Sequence, residues 1–131
     1  RYEESGNSCA AITLLASKAI IHFLLGHQSA ACDLWLQAEP HFSSLSGTFT
    51  NSAYRLWQTV TYLSHAHSTR GATRRTLLRR ARKNRRLFRG WAKTCPENFS
   101  HSLALIEAGL FHSPAGFITD LRLPSLPSRS N

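Results

Sequence analysis

The residues with the clearest capacity for chemistry are basic and stand close together in the second half of the chain. Eleven of the sixteen lysines and arginines lie between Arg70 and Lys93, with no acidic residue among them. Like charges three or four residues apart destabilise an isolated helix, so packing or an acidic or polyanionic partner must offset the repulsion. Such a surface can bind phosphate backbones through salt-dependent contacts. The candidate interaction patch comprises Arg74, Arg75, Arg79, Arg82, Arg86 and Arg89.

Two interpretations of this patch stay open. In the first, it is a solvated face that an acidic neighbour in a parent protein neutralises; in the second, it binds nucleic acid. Attachment to a membrane surface ranks below both. Phe88 and Trp91 fall on the apolar stripe of the same helix instead of among the arginines, which disfavours a platform for base stacking. We favour the first interpretation and keep the second as the alternative.

Histidine and cysteine form no recognisable metal or catalytic motif. His65 and His67 are two residues apart, and a helix places such residues on different faces. The three cysteines, Cys9, Cys32 and Cys95, form no Cys-x-x-Cys pair and are predicted to be reduced thiols. Nucleophile motifs of the Gly-x-Ser-x-Gly type and phosphate-binding glycine loops are absent. We therefore predict no enzyme activity, catalytic residue, cofactor or metal for this chain.

The elements that position these side chains are predicted to be helices. Apolar residues recur at steps of three and four, and no strand pattern competes. The predicted fold class is all-α, with about five helices in antiparallel hairpins that form a bundle or a short helical repeat. The predicted organisation is an irregular end at 1–7, a helical domain at 8–111 and an irregular Pro/Ser-rich tail at 112–131. The helices are expected at about 8–25, 28–45, 51–64, 72–93 and 94–111.

Local signals predict where these helices begin and bend. Pro40 should kink or shorten the second helix. Thr50 or Asn51 should cap the third. Thr94 and Glu97 should form a capping box for the fifth helix, with the Thr94 hydroxyl and the Glu97 carboxylate each bonding a free amide.

Six residues are expected to be structural anchors. Gly26 should form the turn between the first two helices, and His101 should donate a hydrogen bond to a carbonyl at the end of the fourth. The tryptophans should anchor the core. The full set is Gly26, Trp35, Trp57, Trp91, Phe99 and His101.

One hairpin and one longer run resemble known families. Ala19, Gly26, Ala31, Trp35 and Ala38 are similar to the tetratricopeptide consensus, with a generic helix pair as the equal alternative. The run 83–101, Lys-Asn-Arg-Arg-Leu-Phe-Arg-Gly-Trp-Ala-Lys-Thr-Cys-Pro-Glu-Asn-Phe-Ser-His, is followed by Leu-Ile-Glu-Ala at 105–108. Together they resemble the helical-repeat region of large fungal and bacterial signalling proteins. Those proteins combine a kinase-like module, an AAA/STAND-type ATPase, a GAF domain and a sensor histidine kinase.

The resemblance implies a role for the chain and a set of partners. It implies a regulatory connector in a cytoplasmic, ATP-binding parent, whose catalytic residues lie in other modules. The partners would be other domains of the parent chain or separate proteins. The sequence begins with Arg1 and contains no methionine, which also favours the interpretation that it is a fragment.

The apolar runs 10–15 and 19–25 are interrupted by Ser17, Lys18 and His22. They are too short for the roughly 20 residues that a bilayer requires, so no membrane span is predicted. Self-association stays open, because the end faces of a helical array expose apolar surface.

Overall fold

Within residues 2–111 the chain forms five α-helices and one 3-10 segment. The computed structural model describes residues 2–111, and side chains from Asn7 onward. No β-strand occurs in that part of the chain, and the all-α fold class is confirmed. The closer likeness to a tetratricopeptide repeat stays a prediction. The helices are α1 (Tyr2–Leu24), α2 (Gln28–Ala38), α3 (Phe49–His67), α4 (Gly71–Thr94) and α5 (Pro96–Phe111), and the 3-10 segment is Glu39–Leu45.

The first helix begins earlier than predicted. Residues 1–7 were expected to be irregular, whereas α1 already begins at Tyr2. A helix that has nucleated extends at the gain of one hydrogen bond per added residue, and no proline stands in this stretch to stop it. The predicted tail at 112–131 lies outside the described residues.

Proline divides the second predicted helix. The expected helix at 28–45 is an α-helix only as far as Ala38, and the chain then continues as the 3-10 segment. Pro40 stands in the first turn of that segment, where its missing N–H leaves no hydrogen bond unmade. Phe42 and Leu45 are still buried against the core, so the segment keeps the apolar face of the helix that it replaces.

The cap of α3 lies upstream of the predicted position. Thr48 is the N-cap, with an extended backbone, and its hydroxyl accepts a hydrogen bond of 3.2 Å from the Asn51 amide. The prediction of Thr50 or Asn51 was therefore wrong. Gly47 adopts a φ of 80° just before the cap, a conformation that suits glycine, and the helix can begin directly after that turn.

The junction between α4 and α5 also differs from the predicted capping box. Thr94 is the last residue of α4, and Cys95 alone separates the two helices. The Cys95 carbonyl accepts a hydrogen bond of 3.1 Å from the Asn98 amide. Proline is well suited to the first position of a helix, so Pro96 makes Cys95 the cap and moves Thr94 out of that position.

Helices that are neighbours in sequence are also neighbours in space. α1 packs against α2 and the 3-10 segment, α2 against α3, and α3 against both α4 and α5. Trp35 and Tyr62 belong to one core cluster, and Phe88 and Ile106 belong to a second. Because α3 supplies buried residues to both clusters, it connects the α1–α2 side of the molecule to the α4–α5 side.

One histidine couples the α3–α5 contact to pH. His67 Nε2 lies 3.1 Å from the carbonyl oxygen of Gly109. Burial lowers the pKa of His67, the bond to Gly109 partly opposes this shift, and the nearby Arg74 charge lowers the pKa further. The unfolded chain thus binds this proton more tightly than the folded chain. The contribution of His67 to stability is complete above its unfolded pKa of about 6.5 and is lost as the pH falls below that value.

Acidification is therefore expected to destabilise the wild type more than a His67→Gln variant. Urea denaturation of both proteins at about pH 7.5 and about pH 5.5, on either side of the unfolded pKa, measures the difference. The two proteins differ only at residue 67, so subtraction isolates the contribution of His67. An equal loss of stability in the two proteins would contradict this assignment.

Candidate functional site

The predicted basic patch occupies one exposed side of α4. All six predicted arginines are exposed. Five of them, together with Lys93, follow one another at steps of four, three, four, three and four, which places them along one side of a helix. From Arg75 to Lys93 this side is about 27 Å long at 1.5 Å per residue. We call these six residues, together with the adjacent Arg74, the basic face: Arg74, Arg75, Arg79, Arg82, Arg86, Arg89 and Lys93.

The charges of the basic face have no carboxylate partner among the described residues. The ion pairs found there join Arg55 to Glu39 and Arg85 to Glu107. Arg85 therefore belongs to the α4–α5 contact instead of the basic face. Arg80 also lies apart from the basic face, since its guanidinium lies over the Tyr62 ring at 5.9 Å from the centroid. The sequence analysis had left both Arg80 and Arg85 out of the candidate patch.

The tryptophans that were predicted to be anchors differ in how deeply they are buried. Trp35 is fully buried, and its Nε1–H donates a hydrogen bond of 3.1 Å to the Thr61 hydroxyl. Trp57 and Trp91 are only partly buried. Trp91 packs edge-on against Phe88, with ring centroids 4.9 Å apart.

Phe99 is partly buried in the same aromatic group, 5.5 Å from Trp91 between ring centroids. Gly26 forms the α1–α2 turn with a φ of 87°, which favours glycine.

His101 is exposed, so the expectation of an anchor there was wrong. It is displaced by about 140° around the helix from the buried Ile106, which puts it away from the core.

An exposed apolar strip along α1 and the residue that follows it was missed by the sequence analysis. Leu14 and Ile21 are each 56% exposed, Leu24 is 68% exposed and Leu25 is 64% exposed. We call these four residues the apolar flank. A signal was present: Leu14, Ile21 and Leu25 are separated by seven and four residues, a helical spacing, on a different side from the buried Ile12, Ala16 and Ala19.

The same helix is long and apolar enough to meet the simplest criterion for a membrane span. Residues Asn7–Leu24 have a mean hydropathy of 1.4, and 17% of them are buried. Signal sequences and core helices of soluble proteins meet this criterion as well, so it does not assign a membrane. The absence of a membrane span stays a prediction from the sequence.

A buried polar network was also missed. One guanidinium nitrogen of Arg55, Nη1, donates to both carboxylate oxygens of Glu39, at 3.0 and 2.9 Å. It also donates to Gln58 Oε1 at 3.0 Å. Asn84 Nδ2 donates to the same Gln58 oxygen at 2.9 Å and to Thr59 Oγ1 at 2.8 Å. The network thus joins the 3-10 segment, α3 and α4. Asn84, a polar residue on the apolar stripe of α4, was the only signal in the sequence.

The remaining reactive side chains have no catalytic arrangement in the described part of the chain. Burial raises the pKa of the Cys32 thiol to about 12, which keeps it protonated and a poor nucleophile. Ser8 Oγ lies 3.1 Å from His41 Nδ1, and no carboxylate among the described residues bonds that imidazole. Residues 7–111 contain no group of three histidine, cysteine or acidic side chains that could hold a metal ion.

Comparison with known proteins identifies no relative: no family model, curated protein or solved structure matches this chain. The resemblance of residues 83–108 to signalling proteins therefore stays a prediction from those residues alone.

Proposed function

We propose that this chain is a non-catalytic helical scaffold that connects and regulates the domains of a larger cytoplasmic protein through packing contacts. The observation that carries the proposal is the apolar flank of α1. Four large aliphatic side chains stand more than half exposed within twelve residues of sequence. Large apolar side chains grouped on an exposed surface commonly mark a contact with another protein segment.

Covering the flank is energetically favourable. Burial of apolar surface stabilises by roughly 25 cal/mol for each Å² removed from water. A second helix lying along α1 would cover the flank as α2 covers the opposite side. The occupant in this proposal is another segment of the parent polypeptide.

The proposed regulation depends on a connection between the two core clusters. α3 supplies residues to both clusters, and the network around Gln58 holds the 3-10 segment against α3 and α4. A domain that shifts α1 would therefore act on the α4–α5 side through α3. The finer identity of the parent, an ATP-binding sensor histidine kinase, is supported by the resemblance of residues 83–108 alone.

Site-specific photo-crosslinking tests the scaffold proposal. A benzophenone amino acid replaces Ile21 on the apolar flank, and the matched control carries it at Ser100, an exposed residue of α5. The protein is crosslinked in the cells that make it, and the joined peptides are identified by mass spectrometry. We expect Ile21 to capture peptides from another segment of the same polypeptide. Crosslinking no stronger than at Ser100, or crosslinks to other polypeptides alone, would contradict the proposal.

A second candidate function is favoured by the basic face. Seven exposed cations along about 27 Å of helix, with no carboxylate partner in the described part of the chain, suit the phosphate backbone of a nucleic acid. Such binding would depend on charge and salt, with no preference for base sequence.

A further inference from the structure

A small cleft opens where α2, the 3-10 segment, α3 and α4 meet. Its volume is about 120 Å³, which is more than one water molecule requires. Carbon atoms make up most of its exposed lining, but every lining side chain except that of Leu36 also carries a polar or charged group. The polar or charged residues are Glu39, Arg55, Gln58, Tyr62, Arg80, Lys83 and Asn84.

The deepest residues of the cleft are held in place by hydrogen bonds. Gln58 is 0% exposed, and Asn84 is 2% exposed. The Gln58 oxygen accepts from Arg55 and Asn84, and its amide nitrogen donates to Glu39 at 2.8 Å and to the Tyr62 hydroxyl at 3.3 Å. These bonds fix the amide orientations, so the base of the cleft is organised before any ligand arrives.

The cleft carries an excess of positive charge. Three cations, Arg55, Arg80 and Lys83, line it against the single carboxylate of Glu39. That carboxylate is already occupied by Arg55 and Gln58. Arg80 and Lys83 have no carboxylate partner in the part of the chain that the structure describes. Both cations are therefore available to contact an anionic ligand.

Tyr62 adds a neutral donor. It is almost completely buried, and burial raises the pKa of its hydroxyl well above the usual range. The hydroxyl keeps its proton at neutral pH. Its oxygen accepts from Gln58, which leaves the O–H free to donate, and the Arg80 guanidinium lies over its ring.

We propose that this cleft binds a phosphate group, held by Arg80, Lys83 and the Tyr62 hydroxyl. Phosphate offers several acceptor oxygens and a negative charge to such donors, and both arginine and lysine are common phosphate ligands. The site is separate from the apolar flank. It does not rest on the scaffold proposal.

Isothermal titration calorimetry with inorganic phosphate, at an ionic strength held constant with sodium chloride, tests the site. The variants are Arg80→Gln and Lys83→Gln in the cleft, and the matched control is Lys18→Gln, which removes one positive charge from an exposed position of α1. We expect the wild type and Lys18→Gln to bind alike. Both cleft variants should bind about tenfold more weakly or worse, since each loses a hydrogen bond to a charged group.

Circular dichroism checks that each variant is folded. Lys83→Gln is the variant least able to disturb packing, because Lys83 is exposed. A parallel titration with phenyl phosphate separates two sources of the group: tighter binding than inorganic phosphate indicates a larger phosphorylated ligand, and weaker binding indicates free phosphate. No binding by the wild type, or an equal loss in Lys18→Gln and the cleft variants, would overturn the proposal.

Discussion

Replacement of Trp35 with alanine is expected to lower the free energy of unfolding by about 3–5 kcal/mol. The indole is fully buried, so its removal leaves a cavity that the surrounding helices fill only in part. It stacks on Phe42, with ring centroids 6.3 Å apart. The Thr61 hydroxyl also loses its indole donor. Urea denaturation followed by circular dichroism measures the change.

Two comparisons make the Trp35 result specific. Phe49→Ala removes an aromatic ring that is 79% exposed, and such a surface change is expected to alter stability by less than about 0.5 kcal/mol. Trp91→Ala should fall between the two, because that ring is partly buried. An unchanged unfolding midpoint for Trp35→Ala would show that this residue is not the core anchor of the α1–α2 side.

Reversal of three charges on the basic face is expected to weaken any binding to nucleic acid by at least about 100-fold at low salt. The variant carries Arg79→Glu, Arg82→Glu and Arg86→Glu, all exposed, so the fold should be retained. The change replaces three cations in the middle of the face by anions that repel phosphate. Fluorescence anisotropy with a labelled RNA or DNA duplex, over a series of salt concentrations, measures the effect.

The charge-conserving variant with lysine at the same three positions is the control. Contacts that depend on charge alone should survive it, and Lys18→Glu on α1 should also leave binding nearly unchanged. A wild type that does not bind at low salt would remove nucleic-acid binding as a function of this chain. Equal affinity of the charge-reversed variant would place the binding elsewhere on the molecule.

Much of the helical architecture could be predicted from the sequence, because it depends on local spacing. Leu77, Ala81, Asn84 and Phe88 at steps of four, three and four define the buried side of α4, and the arginines between them must then face outward. The exposure of the predicted patch follows from the same geometry. The division of the second helix follows from Pro40 in the same way.

The parts that could not be predicted depend on residues far apart in the chain. Gln58 meets Asn84 across 26 positions and Glu39 across 19, and no periodicity encodes such a meeting. The cleft lies where these distant residues meet. The apolar flank was missed for another reason: α1 is apolar on more than one side, and the pattern alone does not show which side α2 covers. Cap positions shifted because Gly47 and Pro96 impose backbone conformations that outweigh the side-chain preferences of Thr50 and Thr94.

The connector proposal is tested most directly by the full transcript that contains this sequence, obtained by long-read cDNA sequencing. The account predicts one open reading frame in which ATPase motifs precede this segment and GAF and histidine-kinase motifs follow it. A complete short reading frame with neither set of motifs would contradict the connector role and leave the basic face as the better-supported site of function.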